Sequence, residues 1–151
     1  MNRLELGVKE SDVYQIREIV TLMDSGLNTS MEHFSEDTVN VGTVGPSHRK
    51  VVGYDVYGGG DVCVQNYATN DGGHGTITSQ HAVGSISNMT TNPDVTHTPT
   101  NHYDNGIARD GKVYFQDVSA TADGTVSPPA DLSPSILAAI GKGSFIQNHS
   151  W

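Results

Sequence analysis

Two side chains in this sequence stand where acid–base chemistry would need them: an aspartate that closes an apolar run, and a histidine set among glycines. Asp24-Ser25-Gly26 directly follows Glu18-Ile19-Val20-Thr21-Leu22-Met23, a β-branched-rich run of strand length. A carboxylate at the carboxyl end of a parallel strand faces the crevice in which open α/β sheets bind their ligands. The same tripeptide also serves as an ordinary strand-ending turn, and on its own it does not separate the two. His74 lies in Gly72-Gly73-His74-Gly75-Thr76, which leads into a segment with helical spacing. A first-turn histidine sits near the positive end of the helix dipole, which disfavours the imidazolium, and a general base has to be neutral. The flanking glycines let another stretch of backbone come close. A turn histidine ahead of a helix has the same signature.

Other polar residues carry weaker patterns. His97 and His102 share a loop with Asp94 and Asp104, but a zinc site needs more ligands in a fixed frame, and no cysteine pair is present. The stretch Asp104-Asn105-Gly106 to Asp110 matches a calcium loop only in part, since the later glutamate ligand is absent and the glycine is displaced. Cys63 is the only cysteine, which excludes an intrachain disulfide, and it reads as a small packed residue. Ser79, Ser85, Ser135 and Ser150 do not lie in a strand-to-helix turn of the kind that exposes a nucleophile.

Four runs have the composition of buried strands: Glu18 to Met23, Lys50 to Tyr54, Lys112 to Gln116 and Ser144 to Gln147. Near-continuous apolar strands suit a parallel sheet covered on both faces. Helices are expected from Thr76 to Ile86 and from Asp131, as N-cap, to Ile140 with a stop at Gly141, with a weaker one from Glu10 to Arg17. Strands alternating with helices predict a layered α/β architecture. Asn88 to Asn105, rich in Thr, Asn, Asp and Pro, reads as a surface loop. No internal repeat or linker divides residues 1–151, so one partial domain is the economical reading.

Composition narrows the partners. The formal charge is −9, from 17 acidic and 8 basic residues, and no basic stripe exists that could neutralise phosphates. Nucleic acid and anionic membrane surfaces are therefore not expected partners. No run is long and apolar enough for a spanning helix, and the first residues lack the apolar region of a secretion signal. Apolar residues make up 35% of the chain and glycines number 17, which fits a loop-rich portion of a larger domain whose core is shared.

Taken together, the motifs resemble the subtilisin-like serine peptidases. Asp24-Ser25-Gly26 after its apolar run is similar to the family's Asp-Thr/Ser-Gly motif, and His74-Gly75-Thr76 to its His-Gly-Thr-His motif. Gly106-Ile107-Ala108 leading into Lys112-Val113-Tyr114-Phe115 resembles a Gly-Val-Ala turn and the strand after it. Asn148-His149-Ser150-Trp151 resembles the strand that walls the primary specificity pocket. The four motifs occur in family order and span about Ile19 to Trp151.

The resemblance implies a largely parallel, doubly wound sheet in a three-layer subtilisin-like fold, incomplete on its C-terminal side. It implies a serine endopeptidase in which Asp24 orients His74 and His74 takes the proton of an attacking serine. Gly124, Ser150 and Trp151 would touch a protein or peptide substrate, Gly124 through an edge strand. No cofactor is expected, although relatives often hold structural calcium, for which no ligands are assigned here. An extracellular location is the family's expectation. Two departures stand out: Ile77 replaces the second histidine, and Ser79-Gln80-His81 replaces small residues. The nucleophile motif Gly-Thr-Ser-Met occurs nowhere in the chain, and the oxyanion asparagine would follow Trp151. The chain alone is therefore expected to be inactive, its partner being the remaining C-terminal part of the same domain. The alternative is a non-catalytic module that holds extended peptides without cleaving them.

Overall fold

The computed structural model describes residues 18–36, 40–57, 73–86, 105–120 and 125–151. Within them lie four strands, β1 (Ile19–Asp24), β2 (Val51–Val56), β3 (Lys112–Asp117) and β4 (Ile146–His149). Two helices accompany them, α1 (His74–Val83) and α2 (Ser133–Gly141). The strands form one all-parallel sheet in the order β2-β3-β1-β4. The expected α/β layering with a parallel sheet is therefore present. The expected helix at Glu10 to Arg17 and the loop from Asn88 as far as residue 104 lie outside the described residues.

β1 and β3 occupy the centre because their side chains can be buried on both faces. On one face Val20, Leu22, Val113, Phe115 and Val51 pack with Leu27, Phe34 and Val83 of α1. On the other, Tyr114 and Val52 pack with Ala139 of α2, and Ile19 adjoins them. Each large apolar side chain buried in this way contributes about 1.5–3 kcal/mol relative to exposure. The two helices thus cover opposite faces. Yet the connections β2-α1-β3 and β3-α2-β4 both step toward the β4 edge. Two such crossovers with helices on opposite faces have opposite hands, so one of them is of the rare left-handed type.

Three elements differ from their sequence expectation. α1 begins at His74, two residues early, and stops at Val83 because Gly84 turns extended (ψ 142°). α2 starts at Ser133 with Leu132 as its N-cap, while the Asp131 carboxylate accepts the Ser133 N–H at 2.9 Å. The run Ser144 to Gln147, expected to be a buried strand, instead yields β4 two residues later as a half-exposed edge strand. β4 pairs with β1 alone in the sheet order, and Ile146 is 52% exposed. Its anchor is polar: the buried Ser144 hydroxyl accepts from Thr21 Oγ1 at 2.8 Å and lies 2.9 Å from the Ile19 carbonyl.

Tyr114 shows how the α2 face is tuned. Its ring is fully buried, its hydroxyl donates to Asp55, and Lys142 Nζ lies 5.8 Å from the ring centre. Burial first, and then the bond to Asp55, push the phenol well above its ordinary value of 10.0. The fold therefore favours the protonated phenol, and that contribution is complete below pH 10. Above it the unfolded chain ionises and the contribution is lost. Denaturant midpoints measured from pH 8 to 11 should fall more steeply for the parent chain than for Tyr114→Phe.

Arg49 closes the other face. Its guanidinium donates to the carbonyls of Ser35, Ser85 and Glu32 at 2.7–3.1 Å, tying the turn after β1 to the segment after α1. Arg49→Ala leaves those carbonyls to water, and urea denaturation is expected to show a loss of about 2 kcal/mol.

Candidate active site

The carboxyl ends of the parallel strands carry polar side chains side by side. Asp24 ends β1, Asp117 ends β3 in register with it, and Ser150 follows β4. The crossover from β1 runs to β2 and the one from β3 runs to β4, in opposite directions from adjacent strands. In open α/β sheets, ligands bind at the carboxyl ends of the strands.

The helix bearing His74 is seated at these strand ends by close backbone packing. A Cβ on Gly75 would fall 2.4 Å from the Gly26 carbonyl oxygen, 2.9 Å from the Phe115 ring and 3.0 Å from Asp24 Cβ. Only glycine permits this approach. The buried side of α1 is accordingly small or polar, comprising Gly75, Thr76, Ser79 and Val83, and Ile77 points outward at 45% exposure. Thr76 Oγ1 fixes the loop after β1 by accepting the Asn28 N–H at 2.9 Å. The Gly106-Ile107-Ala108 segment closes the far end of the helix. Its three N–H groups donate to the carbonyls of Gly84, His81 and Ala82, serving carbonyls that a helix end leaves free.

The result is a carboxylate–imidazole pair. His74 Nδ1 lies 2.9 Å from Asp24 Oδ1 and 3.0 Å from Oδ2. Asp24 is 1% exposed and the His74 side chain 52% exposed. A carboxylate acceptor at Nδ1 selects the Nδ1–H tautomer and leaves Nε2 as the basic nitrogen. Nε2 makes no hydrogen bond to the described residues. Asp24 Oδ1 also accepts the Ser25 N–H at 2.7 Å, while Thr78 Oγ1 and Ser150 Oγ lie 3.3 and 3.4 Å from Oδ2. An imidazole held in this way can take a proton at Nε2 and be stabilised as a cation by the buried carboxylate.

The structure brings together Asp24, His74 and Ser150 of the expected site residues. Trp151 stands beside them, 47% exposed and stacked on His149 with ring centres 5.3 Å apart. Burial holds the His149 imidazole below its ordinary value. Gly124 lies outside the described residues. Its described neighbours Ser119 and Val126 form an antiparallel bridge, with Ala120 N donating to the Thr125 carbonyl at 2.6 Å. No described serine is hydrogen-bonded to His74. Ser79 Oγ donates to the Gly75 carbonyl at 2.6 Å, Ser135 Oγ to the Leu132 carbonyl at 2.7 Å, and Ser85 Oγ accepts from Arg49 at 3.1 Å.

Sequence reading missed Thr78, Asp117 and Tyr54. Thr78 could have been found from its i+4 spacing to His74, which puts both on one helix face. Asp117 carries the same signal as Asp24, an acid closing an apolar strand. It is fully buried, accepting from Tyr54 at 2.5 Å and from the Ser119 hydroxyl at 2.8 Å.

Among the described residues no group of three His, Cys, Asp or Glu side chains is arranged to hold a metal ion. The loop residues Asp94, His97, His102 and Asp104 lie outside them, as does Cys63. No described helix is long and apolar enough to cross a membrane. Compared with known proteins, the chain matches no family model and no curated protein.

Proposed function

We propose that this chain is the aspartate- and histidine-bearing part of a serine endopeptidase domain of the subtilisin-like kind, completed by polypeptide that supplies the serine and the oxyanion donors. The observation that carries the reading is the buried Asp24 carboxylate on His74 Nδ1, at the carboxyl ends of parallel strands, with the other side of the ring open to a reacting group. In the proposed cycle, Nε2 takes the proton of the serine hydroxyl as that oxygen attacks the scissile carbonyl. It then gives the proton to the leaving amine, while Asp24 stabilises the transient imidazolium. Ser150 and Trp151, with Gly124, would line the substrate side. The subtilisin-like form of the fold and an extracellular setting belong to the same proposal.

Exposed apolar side chains also support a shared core. Ile136, Leu137 and Ile140 of α2, with Phe145 and Ile146 at β4, remain 37–76% exposed. A lone edge strand flanked by such residues suits continuation of the sheet.

The test combines fluorophosphonate labelling with turnover of a fluorogenic peptide. Both are applied to residues 1–151 and to the same chain extended by the residues encoded after Trp151. The expected result is no label on residues 1–151, and a serine label on the extended chain that is lost in His74→Ala. Label on residues 1–151 that depends on His74 would locate the nucleophile within them. An extended chain that neither labels nor cleaves would sink the peptidase reading.

A further inference from the structure

The Asp24 carboxylate is served unevenly. Oδ1 has a backbone donor, the Ser25 N–H at 2.7 Å, whereas Oδ2 has side-chain donors only, Thr78 at 3.3 Å and Ser150 at 3.4 Å. His74 Nδ1 divides its proton between the two oxygens, at 2.9 and 3.0 Å. Whatever fixes Oδ2 therefore fixes how the carboxylate faces the imidazole.

The Thr78 hydroxyl has one proton and three acceptors in reach. They are the His74 carbonyl at 3.0 Å, the Gly75 carbonyl at 3.1 Å and Asp24 Oδ2 at 3.3 Å. The Gly75 carbonyl already accepts the Ser79 hydroxyl at 2.6 Å. Of the three, only the carboxylate is charged, and a hydrogen bond to an ionised acceptor is roughly twice as strong as one to a neutral acceptor. The site is nearly closed to water at Asp24, which strengthens that preference.

We infer that Thr78 is a positioning residue for the Asp24–His74 pair, its hydroxyl donating to Asp24 Oδ2 from one helical turn beyond His74. The helix that carries the base thus also carries the donor that orients the base's own partner. A single rigid element sets both distances. Thr78 acts through Asp24 and has no contact with a reacting group. The inference rests on the reading of Asp24 and His74 as the working pair, but its test needs no turnover, so it can fail separately from the peptidase proposal.

Loss of the Thr78 hydroxyl leaves Oδ2 with the longer Ser150 contact and its share of the His74 proton. The carboxylate is then held less firmly in one orientation, and the Nδ1–H bond to it opens more often. The experiment is proton NMR of the hydrogen-bonded His74 Nδ1–H signal at one fixed pH, assigned by its loss in His74→Gln, with its rate of exchange with solvent as the readout. It compares the parent chain with Thr78→Val, Thr78→Ala and Thr78→Ser. Exchange is expected to be roughly threefold faster in the Val and Ala variants, and to return to the parent rate in Thr78→Ser. Altered packing alone would not be repaired by Thr78→Ser, which lacks the methyl group. An unchanged or slower exchange rate in a folded Val or Ala variant overturns the inference and returns the hydroxyl proton to the helix carbonyls. A Ser variant that behaves like Val does the same.

Discussion

On the proposed peptidase reading, Asp24→Asn is expected to lower kcat of the protein completed with its serine by about 10⁴-fold while leaving its fold intact. The reason lies in which atoms meet at the pair. Asp24 offers His74 Nδ1 two acceptor oxygens at 2.9 and 3.0 Å. An asparagine offers one, and the buried Ser25 N–H competes for it at 2.7 Å. The amide nitrogen would then face Nδ1 as a donor, and the ring would satisfy it by adopting the Nε2–H tautomer. Nε2 would already carry the proton it is meant to accept. Circular dichroism and kcat measured on the same preparation check this, and a fall of less than about tenfold would remove Asp24 from its assigned role.

Gly75→Ala should cost about 3 kcal/mol of stability, through the backbone contact that seats α1 on the end of β1. The added methyl would meet the Gly26 carbonyl oxygen at 2.4 Å, and neither strand end nor helix end can give way by a side-chain rotation. The helix must lift, and His74 lifts with it, so the Asp24 contact should lengthen as stability falls. Gly141→Ala is the control of opposite sign. Nothing lies within 4 Å of a Cβ there and the residue is helical, so alanine should stabilise α2 by about 0.5–1 kcal/mol. Urea melts of both variants decide the matter. Equal and small effects would mean that the close approach at Gly75 is relieved at little cost.

Much of this site is legible in the amino-acid sequence. All four strands announced themselves as β-branched runs, and Asp24 and His74 were placed by the ends of their elements. Sheet order was not legible. Nothing local in Lys112 to Asp117 says that it lies between β1 and β2, because pairing partners are chosen by packing across the whole layer. β4 misled for a related reason: Phe145 and Ile146 look like core residues, yet an edge strand leaves them exposed. The end of α1 was misjudged because Ile86 continues the apolar spacing, whereas Gly84 breaks the backbone two residues earlier. Thr78 stayed hidden because a helical threonine usually has no role beyond its own turn. Its meaning depends on Asp24 arriving from a strand more than fifty residues earlier in the chain.

The strand order also governs when the sheet can form during synthesis. Ile19 pairs with Lys112, and Val20 with Ile146, so β1 emerges from the ribosome without either neighbour. Some 90 residues must follow before its first partner exists, which at about 5–20 residues per second takes roughly 5–20 s. Through that interval the apolar run Ile19 to Met23 is an unpaired strand with both edges open. The central position that later buries it on both faces also makes it the segment that waits longest, and chaperones that hold extended apolar peptides would meet this protein there first.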